Sequence, residues 1–504
     1  MDLSSLSSSL INALPIDVLP ALLLIPLIAT PITYALGKAH KQAPMVFSVI
    51  VTILVFLLSL ALVFTVDRSS TAIQFQTEIE WAPRFGMTFL LGVDTLSAVM
   101  VLLAALVVMC ATLASTPAQV YGDEGAYFGF VLLMETGLLG VFITFDLLAL
   151  FVFWELVLIP MFFLIGRWGE LDKTYAAIKF FIYTHLGSAI MFIGFLVMYS
   201  YAGTFNMLEL RDFAFPTQTQ IWVTLAIFMG AGVKLPVFPL HNWLPDAHVR
   251  APSPMSMVLA GILLKMGGYL FIRGGPWLLP RGWYEMRWIF AAIAVFTLFY
   301  AALTAMAQVD FKRLVAYTSI NHMSFVLLGV AVSTEFGISG AIYQMFSHGV
   351  IISVLFCLAG LMGHSTTGGY GTRDIPKLTG MLERTPRLTY LLILASFAGF
   401  GLPGFSGFIA EALVIFGAFS SSVEPVLWWT GVVVAGVVMT AGYFIWILNR
   451  IAFSEQTIEA RDITRFEMVP SFILLAPIVI LGIYPRLLLD MVWAVVHQIT
   501  NTVV

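Results

Sequence analysis

The sequence predicts an all-α polytopic membrane protein of about 14 transmembrane helices. Three observations lead there. Of 504 residues, 60% are hydrophobic and only 10% are charged, against about 25% charged residues in an ordinary soluble domain. The mean hydropathy is +0.97. The apolar residues also run in blocks of about 20, the length that crosses a hydrocarbon layer as a helix. A net charge of −4 provides no basic footprint for nucleic acid. The polar stretches between blocks are too short to form a soluble catalytic domain.

Candidate spans fall at 18–37, 44–66, 91–114, 126–144, 147–166, 176–201, 220–240, 254–274, 286–307, 313–332, 337–362, 388–419, 427–452 and 468–497. The first has no basic residue ahead of it, since the first is Lys38, so it reads as an uncleaved span rather than a signal peptide. The fourth and fifth are separated only by Thr144, Phe145 and Asp146, which calls for a tight turn. Before the third, "IQFQTEIEWAPRFGMTFLLGVD" alternates polar and apolar residues and suggests a short hairpin at the membrane surface. The two cysteines, Cys110 and Cys357, lie within apolar runs and read as small buried hydrophobes.

Basic residues set the orientation, because lysine and arginine favour the cytoplasmic side. With the N-terminus outside, 15 of them fall on one face and 7 on the other, leaving aside Lys234 and Lys265. The richer face carries Lys38, Lys41, Arg167, Lys173, Lys179, Arg250, Lys312, Arg313, Arg373, Lys377, Arg384, Arg387, Arg450, Arg461 and Arg465; the other carries Arg68, Arg84, Arg211, Arg273, Arg281, Arg287 and Arg486. Both termini are therefore expected outside.

Two spans are interrupted. The seventh breaks at Pro236 and Pro239, in "GVKLPVFPLHNWLPDAH"; the twelfth breaks at "GFGLPGFSGF", around Pro403. Five spans separate the breaks, which places them at matching positions in two five-helix units of opposite orientation. Broken helices at matching positions of two repeats point to the ion site of a transporter. The organisation read from this is an N-terminal group of three helices (1–115), a first repeat of helices 4–8 (116–275), a second, inverted repeat of helices 9–13 (284–455) and helix 14 (466–504).

A charge at the bilayer centre costs about 2.5–3.5 kcal/mol on insertion scales, so each one inside a span asks for a reason. The candidates are Glu135, Glu155, Lys234, Lys265 and Glu411, with His322 and His348. A lysine near a helix end can snorkel to the interface, and that reading competes for Lys234 beside its break. Lys265 lies too close to mid-span for it. Glu155 and Lys234 also admit a purely structural buried pair. Glu135 reads equally as an incidental polar residue facing the bundle, and either histidine as a satisfied core residue. His241 and His248, with Asp246 between them, have the makings of a metal site, but the prolines of that stretch spoil a regular ligand face, and a scaffold around the helix break is the better reading. A carboxylate about 4 Å from a lysine, in an effective dielectric of about 20, contributes roughly 4 kcal/mol. Its approach or retreat therefore decides whether a buried lysine keeps its proton. The charge at the break reads as a proton store, and the break itself frees carbonyls that attract water.

Three stretches carry a family resemblance: "VKLPVFPLHNWLPDAHVRAPSPMSMVLAGILLK" (Val233 to Lys265), "FKRLVAYTSINHMSF" (Phe311 to Phe325) and "FWELVLIPMFFLIGRWG" (Phe153 to Gly169). They resemble the antiporter-like, proton-translocating membrane subunits of complex I, the NADH:quinone oxidoreductase, over roughly 90–455. The family also includes subunits of multisubunit cation/proton antiporters. The resemblance implies that Glu155 and Lys234 form an ion pair, that Lys265 is the central lysine, and that His322 and His348 link it to Glu411 at the outward end of a proton route. Glutamate rather than lysine at 411 matches one of the three such subunits of complex I; the other two and the antiporter subunit typically carry lysine there. The lack of a further long lateral helix after helix 14 separates it from another of the three. Glu135 lies outside the family pattern. The resemblance further implies no cofactor in this chain: flavin, iron–sulfur clusters and quinone would belong to partner subunits. Partners would be the other membrane subunits, above all two further antiporter-like subunits on either side, with lipids and protons. A prokaryotic cytoplasmic membrane is expected, with a thylakoid as the alternative.

Overall fold

The computed structural model describes residues 17–82, 87–116, 120, 122–363, 370–421, 424–454 and 460–503. The expected helices are there. They are α1 (Val18–Ala39), α2 (Ala43–Thr65), α3 (Thr95–Ala114), α4 (Glu124–Ile143), α5 (Leu147–Trp168), α6 (Lys173–Ala202), α7 (Thr217–Lys234), α8 (Ser253–Trp277), α9 (Pro280–Met306), α10 (Phe311–Ala331), α11 (Glu335–Gly363), α12 (Pro386–Gly399), α13 (Ser406–Phe419), α14 (Glu424–Ala452), α15 (Val469–Ile483) and α16 (Arg486–Val503). Aspartates start several of them. Asp94, Asp123, Asp146 and Asp310 each accept a backbone N–H three residues on, satisfying amides that a helix start leaves open.

Among the described residues, eleven helices are long and apolar enough to cross a membrane, or up to twelve if the bent pair α15 and α16 counts as one. The count of 14 read from the sequence is therefore approximate, and the shortfall has a physical source. The seventh and twelfth segments are broken, so α7, α12 and α13 fall below the threshold individually. The last expected span, 468–497, is not one helix: α15 and α16 meet at 74°. Pro485 stands at the bend, and Leu488, Met491, Val492, Val495, Val496 and Ile499 give α16 a single buried stripe. A one-sided helix lies against the bundle instead of crossing lipid beside it.

The expected hairpin is present as β1 (Gln74–Ala82) and β2 (Met87–Val93), antiparallel, with Thr77 opposite Leu91 and Ile79 opposite Phe89. Its tip, including Arg84, lies outside the described residues. The tight turn between α4 and α5 is tied to the hairpin, because Thr144 bridges Leu91 and Phe145 N–H bonds the Leu90 carbonyl at 2.9 Å.

Burial sorts the helices. The α8, α10 and α11 spans are enclosed by protein along their length, while α1, α2, α6 and α14 leave much of their surface outward. Those outward faces carry Ile50, Leu57, Ile182, Leu186 and Val438, the composition of a lipid boundary. In the first half α7 packs on α6; in the second, α13 packs on α11. These are corresponding pairs in the two five-helix units. Helices α1 and α4 meet at bare backbone: a Cβ on Gly37 would stand 2.6 Å from the Gly125 Cα. Replacing Gly37 by leucine is expected to force the pair apart and destabilise the protein by about 1–3 kcal/mol, read as a lowered melting temperature of the chain in detergent.

Candidate functional site

The two breaks are supported differently. After α7 the chain turns through Pro236 and Pro239 into a short helix, Leu244–Arg250. Trp243 Nε1 donates to the Val233 carbonyl at 2.9 Å, and Phe238 N–H to Thr297 Oγ1 at 3.1 Å. These bonds hold backbone groups that a continuous helix would have used. Between α12 and α13 the turn relies on glycine, with φ of +73° at Gly401 and +100° at Gly404, a region that side chains disfavour.

Lys265, His348, His322 and Glu411 come together as a line. The α8 span widens into a π turn at Leu259–Leu263, which frees the Ala260 carbonyl to accept Lys265 Nζ at 2.5 Å. Lys265 Nζ also lies 2.6 Å from His348 Nδ1 on α11. The His348 and His322 rings are 5.4 Å apart, edge to face. His322 Nε2 is 3.8 Å from Glu411 Oε1, an ion-pair distance rather than a hydrogen bond. All four side chains are buried. Four proton-bearing groups from four helices thus stand within one or two proton transfers of each other, closed off from solvent.

Glu155 and Lys234 do not meet as the resemblance implied. No ion pair joins them among the described residues. Glu155 Oε2 instead lies 2.8 Å from His185 Nδ1, and Oε1 accepts from Ser188 Oγ at 2.5 Å. Lys234 Nζ is buried without a hydrogen-bond partner among the described residues, 5.6 Å from the Trp154 ring centre and 5.8 Å from that of Phe180. The indole and phenyl faces attract the ammonium but take no proton from it. Lys234 does not snorkel; it is 1% exposed. Glu135 is fully buried and neither oxygen has a hydrogen-bond partner among the described residues, and it joins none of the groups above.

Asp246 forms ion pairs with Lys179 at 2.6 Å and Arg313 at 3.6 Å, and His248 stacks on Phe356 with ring centres 4.5 Å apart. The stretch between His241 and His248 is thereby built into the scaffold around the break.

Several polar residues escaped the sequence reading. His185 and Ser188 were missed because one more histidine and serine in an apolar helix look unremarkable; their spacing of three was the available signal. Lys312, counted on the richer basic face, is fully buried and donates to the Ala251 carbonyl at 2.6 Å. Arg273, counted on the opposite face, is fully buried as well. It pairs with Asp94 and sits among the rings of Phe145, Tyr269 and Trp277. On the richer basic face Arg373 makes a two-pronged contact with Glu170, at 2.9 and 2.6 Å, and lies 3.7 Å from Asp310. These residues line an open cavity of about 550 Å³ together with Asp374.

Comparison with known proteins shows the family. The family model described as "NADH:quinone oxidoreductase/Mrp antiporter, TM" matches residues 144–440. NADH-quinone oxidoreductase subunit M of Rhodobacter capsulatus is 36% identical over 468 residues, 89% of each chain. The F(420)H(2) dehydrogenase subunit M of Methanosarcina mazei is 34% identical, covering 93% of this chain and 95% of its own. A chain of respiratory complex I from Thermus thermophilus superposes with a TM-score of 0.87 at 28% identity, over 97% of this chain and all of the other.

Removing the Asp94 charge by Asp94→Asn keeps an oxygen for the helix cap but leaves Arg273 buried and unpaired. The expected loss is about 3–5 kcal/mol, measured as reduced thermal stability or reduced recovery of folded chain.

Proposed function

Because this chain belongs to the transmembrane family of NADH:quinone oxidoreductases and Mrp antiporters, we propose that it is the proton-translocating subunit M of a complex I. Electron transfer in distant partner subunits would drive protons through its membrane interior. The observation that carries this reading is the line from Lys265 through His348 and His322 to Glu411. Groups that each exchange protons, held at these separations inside a low-dielectric bundle, make a route for protons and for little else. Lys234 is the storage site at the first break, and Glu155 is the mobile charge that sets its state.

The chain supplies the proton route and no redox chemistry of its own; flavin, iron–sulfur clusters and quinone belong to the partners. Coupling to them is conformational: a shift in helix packing changes the distance between Glu155 and Lys234, and with it the energy of a proton on the lysine. The two repeats, 116–275 and 284–455, each centre on one broken helix. The neighbours are the other antiporter-like subunits. The membrane is the prokaryotic cytoplasmic one, with the lysine- and arginine-rich face inside and both termini outside. A second reading, a related assembly with a different electron donor, is favoured by the similarity to the F(420)H(2) dehydrogenase subunit. It leaves the proton route unchanged.

Gentle purification of the tagged chain is expected to bring down many companions with iron–sulfur absorbance in the visible spectrum. A colourless set of small membrane proteins would mean an antiporter instead. In the purified assembly reconstituted into vesicles, Lys234→Met, Lys265→Met and Glu411→Gln are each expected to lower proton uptake at least about tenfold, a barrier change of about 1.4 kcal/mol or more. A pH-sensitive dye reads the effect, and undiminished uptake in Lys265→Met would refute the route.

A further inference from the structure

We propose that His185 and Ser188 form a second docking site for the Glu155 carboxylate, in competition with Lys234, and that exchange between the two sites gates the proton held at Lys234. This rests on the proton route proposed above and adds positioning residues that act on Glu155.

The geometry is that of a clasp. His185 and Ser188 stand about one helical turn apart on α6, and one carboxylate on α5 reaches both, at 2.8 and 2.5 Å. Both oxygens of Glu155 are engaged in this way. Lys234, the partner expected from the family, is left buried with no hydrogen bond of its own among the described residues. It nevertheless remains next to the clasp. The rings nearest its ammonium are Trp154, the neighbour of Glu155 in sequence, and Phe180, on the same helix as His185. Glu155 is also the charged group whose field acts on it.

Ser188 carries a second observation. Its hydroxyl lies 2.9 Å from the His185 backbone carbonyl as well as 2.5 Å from Glu155. A serine has a single hydroxyl hydrogen. When Glu155 leaves, that hydrogen turns to the carbonyl, and no buried donor is stranded. His185 keeps a contact of its own, because its ring stacks on Phe181, with centres 5.6 Å apart. The clasp therefore opens without stranding the Ser188 hydroxyl, whereas the Asp94–Arg273 pair is fully enclosed. In the exchange the hydrogen bonds from His185 and Ser188 to Glu155 break and one from Lys234 Nζ forms, with no covalent change. Closed, the clasp withholds the counter-charge and lets Lys234 give up its proton toward Lys265; open, Glu155 holds the proton on Lys234.

The test uses the whole assembly in vesicles, with His185→Leu, Ser188→Ala, the double variant, His185→Gln and Glu155→Gln. Infrared difference spectra locate the Glu155 carboxyl band as the one that Glu155→Gln removes. Losing one hydrogen bond to a charged group is expected to shift the clasped-to-paired ratio about tenfold. The band should therefore move in His185→Leu and in Ser188→Ala, and move furthest in the double variant. Protons pumped per quinone reduced should fall while quinone reduction continues. His185→Gln, which keeps an N–H for the carboxylate, should restore pumping relative to His185→Leu. A band and a pumping ratio that stay unmoved in the double variant overturn the proposal. So does a His185→Gln variant as impaired as His185→Leu in an intact assembly, since that is a packing effect. Should His185→Leu fail to assemble, Ser188→Ala alone decides by the same two readouts. If Glu155→Gln pumps normally, the proton route is wrong, and the infrared shift still reports whether the clasp exists.

Discussion

The architecture follows from one constraint: inside a hydrocarbon layer, every polar group must find its partner within the protein. Helices meet this for their own backbone. At two departures from a regular helix a specific replacement is present. The carbonyl freed by the π turn of α8 is taken by Lys265. The Val233 carbonyl before the first break is taken by the Trp243 indole. Asn321 on α10 donates to the Leu298 carbonyl of α9 and accepts from Thr440. The outward faces of α1, α2, α6 and α14 are largely apolar, with Ile50, Leu57, Ile182, Leu186 and Val438 among their exposed residues.

The same constraint makes the remaining unsatisfied groups informative. Most buried polar atoms in folded proteins have partners, yet Lys234 Nζ, both oxygens of Glu135 and the outer nitrogens of His322 and His348 have none among the described residues. Three of these four residues lie on the proposed route, while other buried groups without a hydrogen-bond partner, those of His248 and Arg273 among them, do not. Groups that must accept and release protons in turn cannot be locked into strong permanent bonds, and the partial satisfaction of this axis is the structural counterpart of its mobility. Asp94 and Arg273 show the opposite case. They form a tightly enclosed pair that ties α3 to the outer part of α8 and has no freedom to rearrange. Pairs of this kind, with the Arg373 clamp on the opposite face, tie helices of the surrounding frame together.

Much of this was legible before any coordinates. Apolar blocks gave the helices, because in lipid a span announces itself by length and composition alone. Prolines and glycines gave both breaks. The cost of intramembrane charge singled out Lys265 and Glu411, and the structure joins these two through His348 and His322. The reading failed where a residue near a helix end was assigned by its position in the chain. Lys312 and Arg273 were counted only by the membrane face they fall on, and both are fully enclosed, because a residue's depth depends on which helices close around it. The last span was expected as one helix and is a pair bent at Pro485, because mean apolarity does not report a bend.

The sequence by itself determined what has a one-dimensional signature: a polytopic helical membrane protein, two breaks five spans apart, and the short set of charges too costly to be accidental. Tertiary structure decided which of those charges meet. Glu155 turned to His185 and Ser188 instead of Lys234, and Glu135 stayed apart from the line. Hydrogen bonds reach about 3 Å, and whether two side chains on different helices come that close depends on helix rotation and depth. Those are set jointly by all the packed neighbours and are written in no single stretch of the chain.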